Sequence, residues 1–169
     1  NNFDGVTLKD KSDSSEVLGN YIGLDATGTL ARPNPYGVLI FDTTKYARIG
    51  DGTPGGRNII SGNTGNGVMI NGLGNEFNSV SGNYVGTDPT GFTAIPNGDH
   101  GIVIWNDARH NLIGSSIGAV GSSNVISGNT TSGVYTFAAD SNMIARNLIG
   151  LTADGASALA NQENIFLDT

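Results

Sequence analysis

The side chains best suited to chemistry in this chain are aromatic and acidic, and both recur in register. Phe41, Trp105 and Phe137 each stand four residues after a glycine that opens a short apolar phrase, and Tyr135 stands two residues after one. Rings set in a row on one surface either stack on sugar rings or pack against a protein, a long loop or a second copy. Titratable groups gather most densely at Asp107-Ala108-Arg109-His110, read together with Asp42 and Lys45 of the preceding repeat. Paired carboxylates in such a cluster can serve as acid and base, or acid and nucleophile, at a glycosidic bond. However, the corresponding positions Asp10, Asp42, Gly72, Asn106 and Ala138 form no consistent acidic column. His100 and His110 have no evident orienting partner or serine nucleophile, so solvated loop charge is the simpler account and no catalytic residue is assigned.

Two further acidic positions bear on metal binding. Asp25 and Asp88 occupy matching places in two long loops, where the fifth repeat has Thr152 and carries Asp154 two residues on. A carboxylate among carbonyls can hold Ca²⁺, but no loop has the alternating Asp/Asn ligands of a dedicated site. Asx turns that organise the loops are the expected role, with structural calcium at Asp25 and Asp88 the weaker reading and no other cofactor expected. The glycine-rich run Asp51-Gly52-Thr53-Pro54-Gly55-Gly56 lacks the Lys-Ser/Thr ending of a phosphate loop.

All these residues are positioned by a repeat of about 32 residues. Gly5-Val6-Thr7-Leu8, Gly37-Val38-Leu39-Ile40, Gly67-Val68-Met69-Ile70, Gly101-Ile102-Val103-Ile104 and Gly133-Val134-Tyr135-Thr136 are one phrase, and Asn164-Ile165-Phe166-Leu167 begins a sixth. A second series of apolar anchors follows at Val17, Ile49, Val80, Ile113 and Ile144, and a third at Ile22, Ile60, Val85, Ile126 and Ile149. The runs are too short and too glycine-punctuated for helices, and the period-two alternation reads as strands with one buried face. The expectation is an all-β, right-handed, single-stranded parallel β-helix of about five coils of 30–34 residues, three short strands per coil. Long loops alternate between two corners, at 23–36, 86–100 and 150–163 in odd coils and at 50–57 and 114–123 in even ones, which makes a pair of coils the true unit.

With Val6 and Leu8 facing inward, two columns face out: Thr7, Leu39, Met69, Val103, Tyr135, Phe166, and Lys9, Phe41, Asn71, Trp105, Phe137, Asp168. That stripe is apolar for a solvent face and marks an interaction surface, with Phe41, Trp105, Tyr135 and Phe137 as candidate binding residues. Asn20, Asn58, Asn78, Asn83, Asn111, Asn124, Asn142 and Asn147 each lie two residues before an anchor, which predicts stacked amides at the corners. The Ser-Gly-Asn triplets at 61–63, 81–83 and 127–129 read as corner turns. The sequon Asn129-Thr130-Thr131 falls on a repeated Asn position and reads as coincidence.

Composition excludes several partners. The net charge of −7 argues against a nucleic-acid backbone, and no apolar run is long enough to span a bilayer. With no cysteine, disulfides and thiolate metal sites are excluded.

Tyr21-Ile22-Gly23-Leu24-Asp25-Ala26-Thr27-Gly28, Tyr84-Val85-Gly86-Thr87-Asp88-Pro89-Thr90-Gly91 and Asn124-Val125-Ile126-Ser127-Gly128-Asn129 join the repeated phrase in one resemblance. The chain resembles the parallel β-helix repeats of large bacterial secreted and surface proteins, within the pectate-lyase-like right-handed β-helix superfamily, over nearly its whole length. The resemblance implies an extracellular or cell-surface location and a choice of roles. One is a structural and adhesive module whose partners are copies of itself or another surface protein. The other is a carbohydrate-binding or polysaccharide lyase- or hydrolase-like β-helix, in which Trp105 and the Asp107/Arg109/His110 loop would meet the polymer. The structural role is preferred, because the outer face is largely apolar and no acid/base set is assembled. The chain begins almost on a strand and stops inside one, so residues 1–169 are expected to be a single β-helix domain taken from a longer array.

Overall fold

A computed structural model describes residues 3–116 and 122–168. The first coil holds β1 (Val6–Leu8), β2 (Glu16–Val17) and β3 (Tyr21–Ile22), and the second β4 (Val38–Ile40), β5 (Arg48–Ile49) and β6 (Ile59–Ile60). The third holds β7 (Val68–Asn71), β8 (Ser79–Val80) and β9 (Tyr84–Val85), and the fourth β10 (Ile102–Trp105), β11 (Leu112–Gly114) and β12 (Val125–Ile126). The fifth holds β13 (Ser132–Phe137), β14 (Met143–Ala145) and β15 (Leu148–Ile149), and β16 (Glu163–Asp168) opens a sixth. No helix occurs among the described residues.

Every pairing between coils is parallel. Sheet one runs β1-β4-β7-β10-β13-β16, sheet two β2-β5-β8-β11-β14 and sheet three β3-β6-β9-β12-β15. The register puts like on like: Ile40 pairs with Ile70, Ile49 with Val80, and Ile60 with Val85. A side chain in such a sheet meets its counterpart one rung away, about 4.8 Å off. The three inward columns therefore close into one dry core in which Ile40, Ile104, Ile113 and Ile126 have no solvent exposure. This is the core that the anchor series predicts.

The glycine that opens each phrase has a steric cause. A β-carbon on Gly101 would lie 2.6 Å from the Gly133 carbonyl oxygen and 2.8 Å from both Ile126 Cγ2 and Asn129 Nδ2. The chain enters sheet one across the end of sheet three, and no side chain fits there.

Three asparagine columns close the corners. Asn20, Asn58, Asn83, Asn124 and Asn147 precede sheet three, and Asn78, Asn111 and Asn142 precede sheet two. A third column, Asn34, Asn63, Asn97, Asn129 and Asn161, follows sheet three. Each amide works in two directions: Asn97 Nδ2 donates to Asn129 Oδ1 at 2.9 Å on one side and to the Ile60 carbonyl at 3.0 Å on the other. The triplets at 61–63 and 127–129 turn the corner at Gly62 and Gly128, and their asparagines, Asn63 and Asn129, stand in this third column. Asn129 of the sequon is buried in this column, in line with the coincidence reading.

The odd-coil loops form small antiparallel hairpins, bridged at Leu24–Ala31, Thr87–Ala94 and Leu151–Ala158. They fold over the outer face of sheet three, where Leu24, Ile59, Tyr84 and Val125 make a second buried cluster. In the even-coil loop at 114–123, residues 117–121 lie outside the described residues.

Candidate binding face

The outer face of sheet one carries the candidate residues: Tyr135 and Phe137 alternate on β13, Trp105 ends β10, and Phe41 directly follows β4. Val103 pairs with Met69 and Tyr135, and Trp105 with Asn71 and Phe137. Phe41, Trp105, Tyr135 and Phe137 are all half-buried. The first column departs from its expected exposure: Met69 is 5% and Val103 1% accessible. In-register stacking brings large neighbours within one rung, so the middle of an apolar column shields itself.

The rings meet one another. Tyr135 lies between His100, 4.6 Å away and 17° from parallel, and Phe166, 5.6 Å away and 8° from parallel. Its two faces are thus turned to rings of the coils before and after it. Burial, with a further push from Asp168, raises the Tyr135 hydroxyl above its ordinary pKa. Trp105 differs: its ring meets Phe137 edge-on at 6.0 Å and 84°. The Trp105 indole N–H is covered and finds no acceptor among the described residues.

Beside the Tyr135 stack is a cleft of about 270 Å³ lined by His100, Thr131, Ser132, Tyr135, Glu163 and Phe166, with Gln162 at its rim. His100 was expected to lack an orienting partner, and the structure corrects this. The Ser132 N–H donates to His100 Nδ1 at 3.2 Å, Thr131 Oγ1 lies 2.9 Å from the same nitrogen, and Nε2 faces Asp99 Oδ1 at 3.3 Å. Burial holds the imidazole below its ordinary pKa, against the upward pull of Asp99 and Glu163. No sequence pattern marks His100 as oriented, because the groups that hold its Nδ1, Thr131 and Ser132, come from the next coil.

The acidic cluster is arranged otherwise than expected. Asp42 and Lys45 belong to the second coil, not to the coil preceding Asp107, and the third coil intervenes with Gly72 and Glu76. Asp107 is held by Arg109 within its own turn at 2.7 Å. Lys45 Nζ meets Glu76 Oε2 at 2.8 Å, and Glu76 is bridged in turn to Arg109 along the backbone. The corner therefore carries a column of alternating charge, Asp13, Lys45, Glu76, Arg109, Asp140. The Lys45 bond lowers the Glu76 pKa and raises that of Lys45.

The next residue in each of three coils is a ring in the left-handed region. Tyr46, Phe77 and His110 have φ of 59°, 59° and 57°, and stack at 5.5 and 5.4 Å. Bulky residues are rare in that region. The repeating corner geometry imposes it, and stacking offsets part of the cost.

The loop carboxylates face hydrogen-bond donors. Asp25 Oδ1 accepts from the Thr27 hydroxyl at 2.9 Å and from the Thr29 and Leu30 amides at 3.1 and 3.2 Å. Asp88 accepts from Thr90, Phe92 and Thr93 in the same way. In the fifth coil the two partners exchange places: Thr152 donates to Asp154 at 2.6 Å and accepts the Ser157 N–H. This exchange explains the displaced Asp154. The Thr27 hydroxyl, then the loop amides, lower the Asp25 pKa despite some burial. Burial pushes Asp88 up, but its hydroxyl and amide donors together leave it lowered. No group of three or more His, Cys, Asp or Glu suited to a metal ion occurs among the described residues.

Comparison with protein-family models, with curated proteins and with solved structures finds no match.

Proposed function

We propose that this chain is a structural and adhesive repeat module of a bacterial secreted or cell-surface protein, built on the pectate-lyase-like pattern and making its contacts with copies of itself or with another surface protein. The observation that carries this reading is the sandwich of Tyr135 between His100 and Phe166. A sugar needs an open ring face, and Tyr135 gives both of its faces to neighbouring coils. The same economy holds at the corner, where Phe77 lies between Tyr46 and His110. Aromatic side chains used along the axis stiffen a solenoid, in which each coil is held only by its neighbours. The outer face remains apolar enough for protein contact.

Sedimentation velocity and electron microscopy of the purified chain over a wide concentration range test this reading. Discrete assemblies that grow with concentration are expected. A strictly monomeric protein that also captures no surface protein would overturn it.

One observation favours the carbohydrate reading. Trp105 meets Phe137 in a T-shaped contact rather than a sandwich, so, unlike Tyr135, it does not give both ring faces to neighbouring rings. Retention on a polysaccharide column that Trp105→Ala abolishes would support that alternative. Retention unchanged by the substitution would remove Trp105 from it.

A further inference from the structure

The residue before each repeated phrase forms its own column: Asp4, Tyr36, Asn66, His100, Ser132 and, before Asn164, Glu163. Three of its side chains accept a backbone amide from the following coil. Asp4 Oδ1 accepts the Tyr36 N–H at 3.3 Å, Asn66 Oδ1 accepts the His100 N–H at 3.1 Å, and His100 Nδ1 accepts the Ser132 N–H at 3.2 Å. At His100 an imidazole does the work that a carboxylate or amide oxygen does elsewhere. An oxygen of Asn accepts at any pH, whereas an imidazole nitrogen accepts only while it lacks a proton.

We propose that His100 is an acid-sensitive latch between the fourth and fifth coils. When neutral, its Nδ1 holds the Ser132 amide and its ring covers one face of Tyr135. When protonated, it releases that amide, turns toward carboxylates and uncovers the ring.

The surroundings supply both positions. In the neutral ring Nδ1 is the acceptor, so the proton sits on Nε2, toward Asp99 Oδ1 at 3.3 Å. A proton taken from solvent at Nδ1 sets two donors, that N–H and the Ser132 N–H, against each other. Ser132 is only 2% accessible, so water does not readily replace the lost acceptor. The new N–H has somewhere else to go. Thr131 Oγ1 lies 2.9 Å from Nδ1 and 3.0 Å from Asp99 Oδ1, so its one proton can serve the neutral Nδ1 and, once Nδ1 is protonated, turn to Asp99 while the oxygen accepts the new N–H. The charged groups that face the ring are Asp99 on its own loop and Glu163 on β16, and both favour the imidazolium. Tyr135, the titratable group of β13 packed on it, stays neutral because its hydroxyl is raised. Burial and the Ser132 amide thus hold the closed, neutral state, while two carboxylates attract the open, charged one. The depressed pKa of the closed state agrees with this balance.

The test is a pH titration from about 7.5 to 4.5 of the intact chain and of His100→Asn, which copies the Asn66 arrangement with a group that does not titrate. The His100 ring, assigned by comparison with His110→Asn, is expected to titrate below 6.5. Over the window in which only the open state binds the extra proton, exchange of the Ser132 amide, relative to His100→Asn, should accelerate roughly tenfold per pH unit. The His100 amide, held by Asn66, should show no such change and serves as an internal reference if His100→Asn fails to fold. A His100 pKa at or above 6.5, or Ser132 protection that stays parallel to the reference, would overturn the latch.

Discussion

Asn83 lies in the middle of the five-residue amide column before sheet three, and replacing it with alanine isolates what that column contributes. Its Oδ1 accepts the Asn58 backbone N–H at 3.2 Å and Asn58 Nδ2 at 2.9 Å, and its Nδ2 donates to the Ile49 carbonyl at 2.6 Å, with longer bonds to Asn124 Oδ1 at 3.2 Å and the Ser81 carbonyl at 3.3 Å. After Asn83→Ala, Asn58 Nδ2 still has the Val17 carbonyl at 2.7 Å, and the Ile49 carbonyl still has the Ser81 N–H at 2.9 Å. The Asn58 N–H is left with nothing, and Asn58 is completely buried. An orphaned buried amide costs about 1–3 kcal/mol and the two shorter of the other lost bonds about 1 kcal/mol each, the two long bonds adding little, so the expected loss is on the order of 3–5 kcal/mol. Asn20, at the exposed start of the same column, is the control. Its side chain donates to Leu18 O at 2.9 Å and Asn58 Oδ1 at 3.1 Å, and after Asn20→Ala water reaches the first while the Asn20 N–H still serves the second. That loss should stay below about 1 kcal/mol. Urea denaturation followed by circular dichroism gives both values, and amide exchange at Asn58 gives the local one. Equal losses for the two variants, or an Asn58 amide as protected in Asn83→Ala as in the parent, would refute the claim that the column acts by satisfying buried backbone groups.

Three other perturbations follow from the same geometry. Gly101→Ala forces a β-carbon against the Gly133 carbonyl and Ile126, whereas Gly55→Ala meets nothing within 4 Å, so the first should lower the melting temperature by roughly 5–10 °C and the second leave it unchanged. Tyr135→Ala removes two ring contacts at about 0.5–1.5 kcal/mol each, and a loss of roughly 1–3 kcal/mol is expected by denaturant titration; no loss would mean the stack does not stabilise the coils. Asp25, Asp88 and Asp154 all have folded pKa values lowered from 3.8. The stability they add is therefore complete above 3.8 and is lost as pH falls through the lower folded values; carboxyl ¹³C titrations with midpoints at or above 3.8 would contradict this.

The sequence by itself determined the winding. A column of Val and Ile at fixed spacing can become dry only by stacking on its own repeats, so the three sheets, the register and the alternating loops follow from periodicity. The asparagines two residues before an anchor were legible for the same reason. The third column was also written in the chain, as an asparagine three or four residues before each phrase from Gly37 onward, but the varying offset hid its register. What only the tertiary structure decided is which side chains face each other across coils. Ring stacking, the insertion of Glu76 between Lys45 and Arg109, and the hold of His100 on the Ser132 amide join residues some thirty positions apart. Periodicity says which positions share a column, but a contact depends on rotamer, ring plane and lone-pair direction. Those are set by packing against the neighbouring coil and leave no mark in the local sequence.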